Sequence, residues 1–350
     1  MQTDMHYYGT YAIARSAGLH PDAARVIAEA SEYVDDSDYV AVQLSDGILL
    51  DAPPTAHHPE NRQNLNPVDQ RRVWVPFHFL PGNEGDSFEE RLICRIDSQI
   101  ARDMVQHHTS LENRGFNLAL MGIAAHCYAD TFSHYGFSGI TCNQNKVYGE
   151  SIELKVNKKS VFDYIVKKTQ EFNDTYIKGA VGNAAGLGHG GVSTYPDRPY
   201  LTWSFTYELG MRPSGIRENQ KTFLDACEKL HAMFSDFGKR NEYASTGGVL
   251  RPFNEIKESV AAILAVEGSM EERIEAWQRA SRSGTLFADG TNIPVYDRDF
   301  AKDVEAMSGH NMESIRGTNS FSFLAAAKYH RDYVLDVLLP SHGLHVALRS

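Results

Sequence analysis

Nowhere in its 350 residues does the chain run apolar and uninterrupted for the ~20 residues that a membrane span needs. Mean hydropathy is −0.39, so a membrane-spanning protein is not expected. The N-terminal residues Met-Gln-Thr-Asp-Met-His-Tyr-Tyr lack a basic n-region, an apolar run and a small-residue cleavage site. A cytoplasmic start is expected, with any export by a route other than Sec. Cysteine is scarce. The four thiols, Cys94, Cys127, Cys142 and Cys227, form no C-x-x-C pair, which argues against a cysteine zinc site and against a disulfide framework. Positive charge is also short: 34 Lys+Arg against 45 Asp+Glu give a net charge of −11. A chain that grips nucleic acid through its phosphates is usually basic, so no stable nucleic-acid partner is expected.

Several catalytic signatures are missing as well. There is no H-E-x-x-H, no G-x-S-x-G, no G-x-x-x-x-G-K-[ST] and no adjacent His-Asp doublet. Residues 186–191 do spell G-x-G-x-x-G. They follow a helical pattern rather than a strand, and Pro196 and Pro199 stand downstream, so they are not read as a dinucleotide site.

What is present is mostly helical. Pro21 and Asp22 open a segment whose Ala23, Ile27, Ala30 and Val34 make one apolar stripe. The spacing predicts further helices over residues 88–108, 117–134, 159–177, 217–237, 255–266, 270–279 and 320–339, the last stopped by Pro340. Alternating strands are scarce, and residues 140–156 are the best place for a short hairpin. Two long Gly/Pro/Asn-rich stretches, 46–85 and 179–213, read as loops. They carry His57, His58, His78 and His189 among aromatics, which favours function over disorder. The expectation is an all-α chain, a single-domain helical bundle over residues 1–350 with long loops, in which 215–350 reads only as more helices.

The 15 histidines are many for so few cysteines. The strongest local pattern is His126-x-x-x-Asp130-x-x-x-His134. Positions i, i+4 and i+8 of a helix share one face. Two imidazoles and a carboxylate among small apolar neighbours suit a nitrogen/oxygen-bound cation such as Zn²⁺ or Fe²⁺. The other reading is a His–Asp hydrogen-bond ladder between helices. Asp4 and His6 stand two apart and, in an extended segment, would point the same way. Asp35 and Asp36 close the first long helix, where carboxylates are electrostatically misplaced, which suggests a nearby cation. Asp35 lies nearer the apolar stripe. His78 sits in an apolar Trp-Val-Pro-Phe-His-Phe run, His189 in a glycine-rich loop, and Asp197 follows in Tyr-Pro-Asp. His57-His58 and His107-His108 read as solvated pairs.

This order of motifs resembles the zinc-dependent phospholipase C and P1/S1 nuclease superfamily. The segment from His126 to Gly136 is most similar to its bacterial phospholipase C-like branch. The resemblance covers about the first 200 residues as ordered motifs. It implies an all-α fold with a metal cluster in a cleft. It also implies that Asp35, His78, His126 and Asp130 hold one zinc, that Asp130 bridges to a second bound also by His6, and that His134, His189 and Asp197 hold a third. Asp4 and Asp36 are further carboxylate candidates, and iron or manganese could stand in some positions. The spacing from Asp130 to His134 is shorter than the family's usual one, and Asp197 stands where the family has a carboxylate closer to its histidine.

The implied activity is hydrolysis of a phosphodiester. Asp35 or Asp130 would orient or deprotonate the attacking water, and no protein nucleophile is needed. A phospholipase C acting on glycerophospholipids is the first expectation, with peripheral membrane contact. A single-strand nuclease or other phosphoesterase on the same scaffold is the second, and a non-hydrolytic metal protein, such as a di-iron one, is the third.

Overall fold

A computed structural model describes residues 1–57, 61–111, 114–178, 186–297 and 300–346. His58 falls outside them. The chain is helix-dominated, but the all-α expectation does not hold: among the described residues five strands form two small antiparallel sheets beside the helices. The helices are α1 (Thr10–Ser16), α2 (Pro21–Asp36), α3 (Pro67–Phe77), α4 (Phe88–Arg91), α5 (Gln99–Ser110), α6 (Asn117–Thr131), α7 (Lys159–Lys178), α8 (Asn219–Arg240), α9 (Glu242–Ser245), α10 (Phe253–Leu264), α11 (Met270–Arg282), α12 (Phe300–Ala306), α13 (Met312–Ile315) and α14 (Asn319–Tyr333). The strands are β1 (Ala41–Gln43), β2 (Leu49–Asp51), β3 (Val147–Lys155), β4 (Thr202–Tyr207) and β5 (Arg217–Glu218). No helix among the described residues is long and apolar enough to cross a membrane.

Helix α6 is the axis of the larger core. Nearly every one of its residues is buried, as expected of a helix apolar on all sides. Helix α2 lies along it. Pro21 sits at the first helical position of α2, the His20 ring caps the amide of Ala23, and Ala23, Ala24, Ile27, Ala28 and Val34 face inward. The two backbones meet at Gly122, where a Cβ would come within 2.3 Å of the Ile27 carbonyl oxygen. Only glycine fits there, and this close approach sets the last turn of α2 against the last turn of α6.

A smaller core packs the sheet β3–β4–β5 against α7. The expected local hairpin over 140–156 is instead one strand, β3, which pairs with β4 some fifty residues later through Val147↔Tyr207 and Lys155↔Thr202. Strand β4 buries Trp203, Phe205 and Tyr207 on alternate positions, a two-residue period hidden inside a Gly/Pro-rich stretch. The expected helix over 88–108 breaks in two. The link carries Asp97 at φ 47°, and Ser98 caps α5 through the amide of Ala101. The supposed loop 46–85 contains α3, which Asn66 caps and Pro67 opens. Pro340 does not stop the last helical segment: a π-helical turn, Val334–Leu338, follows α14, and a short helix, Leu339–Ser341, takes Pro340 into its first turn.

Candidate metal centre

Three groups of side chains offer ligand atoms that lie within 4.8 Å of one another: His6, His126 and Asp130; Asp35, His78 and His126; and His134, His189 and Asp197. They form one continuous cluster with Asp130 at its middle. Asp130 is fully buried in the last turn of α6. Its Oδ2 stands 3.2 Å from His126 Nε2, 3.4 Å from His78 Nδ1 and 3.4 Å from His134 Nδ1, and its Oδ1 stands 3.2 Å from His6 Nε2. His134 lies just past the helix end. Its amide still donates to the Asp130 carbonyl at 2.7 Å, which carries the i+4 spacing one step beyond α6. The buried Arg217 of β5 holds this turn by donating to the carbonyls of Ser133 and Tyr135, both at 2.8 Å.

The other ligand atoms come from distant segments. Asp35, on the last turn of α2, has its oxygens 3.7 Å from His78 Nδ1 and 3.8 Å from His126 Nε2. Its side chain is 37% exposed, which puts it at the mouth of the site. His78 follows α3 directly. His189 Nε2 lies 3.7 Å from Asp197 Oδ2, and His134 Nε2 lies 3.1 Å from Asp197 Oδ1. A cavity of about 200 Å³ opens beside these groups, walled by Trp74, Phe79, Leu187 and Thr194.

Hydrogen bonds to carbonyls fix which nitrogen of each ring faces inward. His126 Nδ1 meets the Ser31 carbonyl at 2.8 Å, His78 Nε2 that of Thr55 at 2.8 Å, His134 Nδ1 that of His78 at 2.9 Å, and His189 Nδ1 that of Ser193 at 2.7 Å. A carbonyl only accepts, so each of these nitrogens carries the proton. In the neutral ring the opposite nitrogen is then a lone pair. His126 Nε2 and His78 Nδ1 thus face one another at 3.2 Å as two lone pairs, beside the buried Asp130 Oδ2, which has no hydrogen-bond partner. Two acceptors and a carboxylate crowded together repel unless a cation sits among them. Histidines that ligate metals donate their other N–H to a carbonyl or carboxylate in this way. The residues present therefore fit a bound cation.

Burial and neighbouring charge set the protonation of these groups. Burial lowers His6 to a pKa of about 3, with His126 adding to the effect, and burial lowers His189 to about 4. Both rings are neutral near pH 7. Burial works against the charge of Asp130 and Asp197, yet neighbouring imidazoles and the Met1 amino group hold both carboxyls well below the usual range. That amino group lies 2.6 Å from Asp130 Oδ1 and 3.5 Å from Asp197 Oδ1. Burial opposes its charge too, but Asp130, Asp197 and Asp35 outweigh this and push its pKa up to about 11.

The family of unknown function DUF6765 matches residues 1–338. The chain belongs to DUF6765. No curated protein and no solved structure matches it. The DUF6765 match spans every residue of the cluster, from His6 to Asp197, and runs on beyond α14.

Two expected carboxylates of this DUF6765 protein lie outside the cluster. Residues Asp4–Gly9 are wound as a π-helix rather than extended, so Asp4 and His6 point apart. Asp4 instead pairs with the buried Arg273 at 2.8 Å. Asp36 points off the helix end and accepts from the Tyr296 hydroxyl at 2.5 Å. The expected solvated histidine pairs also need correcting. His57 is buried between Asp38 and Asp69, with one carboxylate on each ring nitrogen at 2.5 and 2.6 Å. His108 is buried against His330, with 3.0 Å between ring nitrogens. Sequence reading missed Arg217, Arg273 and the carbonyls of Ser31 and Thr55. Every residue has a carbonyl, so those two leave no mark in the sequence. An arginine bound for the interior looks like any other arginine.

Proposed function

We propose that this DUF6765 protein is a metal-dependent phosphodiester hydrolase, and that it acts as a zinc-dependent phospholipase C. The observation that carries the reading is the convergence of imidazole lone pairs on the partnerless Asp130 Oδ2. The donors are nitrogen and carboxylate oxygen without thiolate, which suits Zn²⁺, two or three per chain, and allows iron or manganese in some positions. Cations held there would neutralise phosphate oxygens and bring the pKa of water from ~15.7 toward ~7.

The chain's own groups account for the rest. Asp130, buried and ionised, holds the imidazoles in register. Asp35, at the mouth, is placed to orient a water and to take its proton at Oδ1 or Oδ2. Trp74, Phe79 and Leu187 give the cavity an apolar wall that keeps bulk water from the ester and receives lipid. Cys94, Cys127 and Cys227 do not compete as nucleophiles: all three are buried, and burial pushes each of them up, out of the thiolate range.

The test is elemental analysis of the purified chain, followed by incubation with phosphatidylcholine or phosphatidylethanolamine. Zinc together with release of phosphorylated head group is expected. Asp130→Asn and His126→Ala should lower the metal content and abolish release. A metal-loaded protein that frees no head group would sink the phospholipase reading. Digestion of single-stranded DNA in its place would make it a nuclease, and iron with visible absorbance a redox protein.

A further inference from the structure

A second set of buried polar groups borders the cluster and has no part in the reaction proposed above. Arg198, next in sequence to Asp197, is 2% exposed. Its Nη2 donates to Thr194 Oγ1 at 3.0 Å, and its guanidinium carbon lies 5.4 Å from the centre of the Tyr164 ring. Its Nε and Nη1 have no acceptor. Its charge is felt by Asp4, Tyr200 and Lys168, which places it among those groups. Arg273, 1% exposed, lies 5.8 Å from the Tyr200 ring. It gives Nη1 to Asp4 and Nη2 to Gln2, and leaves Nε without an acceptor. The buried Tyr200 hydroxyl faces the Arg198 guanidinium and has no other hydrogen-bond partner.

Arg198 Nε and Nη1 and Arg273 Nε are thus three guanidinium donors for which only two acceptors stand free in this set, Asp4 Oδ1 and the Tyr200 hydroxyl oxygen that faces Arg198. Two guanidiniums face one carboxylate, so the set is short of negative charge as well as of acceptors. Buried guanidiniums are strongly disfavoured without a partner, and their planar forks match the oxygens of phosphate and carboxylate groups. The set also touches the active cavity, because Thr194, which takes Arg198 Nη2, lines that cavity with His134, His189 and Asp197.

We propose that Arg198, Arg273 and Tyr200 form a binding position for an oxyanion, a phosphate or carboxylate group, beside the metal-ligand cluster. Joined to the hydrolase reading, on which this clause alone rests, the substrate carries a second acidic group besides the phosphodiester that is cut.

The experiment titrates the purified full chain with inorganic phosphate and follows thermal shift, as purified and again after chelation. Wild type is compared with Arg198→Met and Tyr200→Phe. Phosphate affinity is expected to fall about tenfold or more in Arg198→Met and severalfold in Tyr200→Phe, with or without chelation. Tyr200→Phe should melt as wild type does when phosphate is absent, so a folding defect is not mistaken for lost binding. An equal phosphate response in all three proteins, or none after chelation, would overturn the proposal.

Vesicles of phosphatidylserine and phosphatidylethanolamine, whose head groups differ by one carboxylate, tell the two sources apart. A preference for serine that both variants lose assigns the position to substrate. Phosphate binding without such a preference assigns it to a free anion. If neither lipid is cleaved, the hydrolase reading falls, and the phosphate titration still decides the oxyanion position.

Discussion

Gly122 offers the sharpest test of how the centre is built. A Cβ at this position would lie 2.3 Å from the Ile27 carbonyl oxygen, 2.6 Å from the Ala30 Cβ and 2.9 Å from the Ser31 amide nitrogen. Comfortable carbon contacts are ~3.5–4 Å, so Gly122→Ala forces α2 and α6 apart by about 1 Å. Such overpacking costs ~1–3 kcal/mol, and the better helix propensity of alanine returns ~1 kcal/mol of it, for a net loss of up to ~2 kcal/mol. The stability loss matters less than where the movement falls. Ser31, whose carbonyl holds the His126 ring at 2.8 Å, is one of the three residues struck, and Asp35 stands one turn further along α2. Loss of such an orienting partner typically costs ~10–100-fold in metal affinity. Gly122→Ala should therefore melt a few degrees lower and bind zinc at least ~10-fold more weakly, with helix content by circular dichroism unchanged. Competition against a chromophoric chelator reads the affinity. Gly309→Ala is the control, since a Cβ there meets nothing within 4 Å. Wild-type melting and wild-type zinc affinity in Gly122→Ala would refute the idea that this helix contact holds the ligands in place.

Three further outcomes can be checked. Burial alone would lower His57, but Asp69 and Asp38 outweigh it and raise its pKa above 6.5. Its stabilisation is therefore complete below about 6.5 and is lost as pH rises through the raised folded value. The melting gap between wild type and His57→Gln should narrow steadily from pH 6 to pH 9, and a gap that widens would contradict the assignment. His108→Ala should destabilise by about 2 kcal/mol in urea unfolding while leaving metal content untouched, because His108 packs in the core rather than on the surface. Arg273→Met strands Asp4 as a buried carboxylate and should cost ~3–5 kcal/mol, and adding Asp4→Asn should recover part of that loss. Failure of the double variant to recover would mean that the ion pair is not what Arg273 contributes.

How much of this is written in the sequence depends on whether the signal is local. The face shared by His126 and Asp130 is a property of one helix, and His134, just past its end, keeps the i+4 spacing, so spacing alone places the three together. The stripe on α2 likewise distinguishes Asp35, which faces the cluster, from Asp36, which does not. Asp4 is misjudged because two-residue spacing was read as extended chain, and the segment is wound. The strands escape because their partner is remote. β3 has no neighbour in its own stretch, and β4 is six residues long inside glycine- and proline-rich chain. α3 is short and carries Pro76 within it, which reads as loop in a linear scan, yet it is what delivers His78.

The ligand atoms come from five separated stretches of chain, ending at His6, Asp35, His78, the His126–His134 turn and Asp197, and none comes from the C-terminal third. A cation shared among them is, in polymer terms, a cross-link that closes several long loops at once. The entropy of closing such loops grows only slowly with their length, so the bound ions together would restrain more than half of the chain, from His6 to Asp197. Metal loading and folding then become one coupled equilibrium for that region, and the helices after Arg217 serve as the buttress against which it closes.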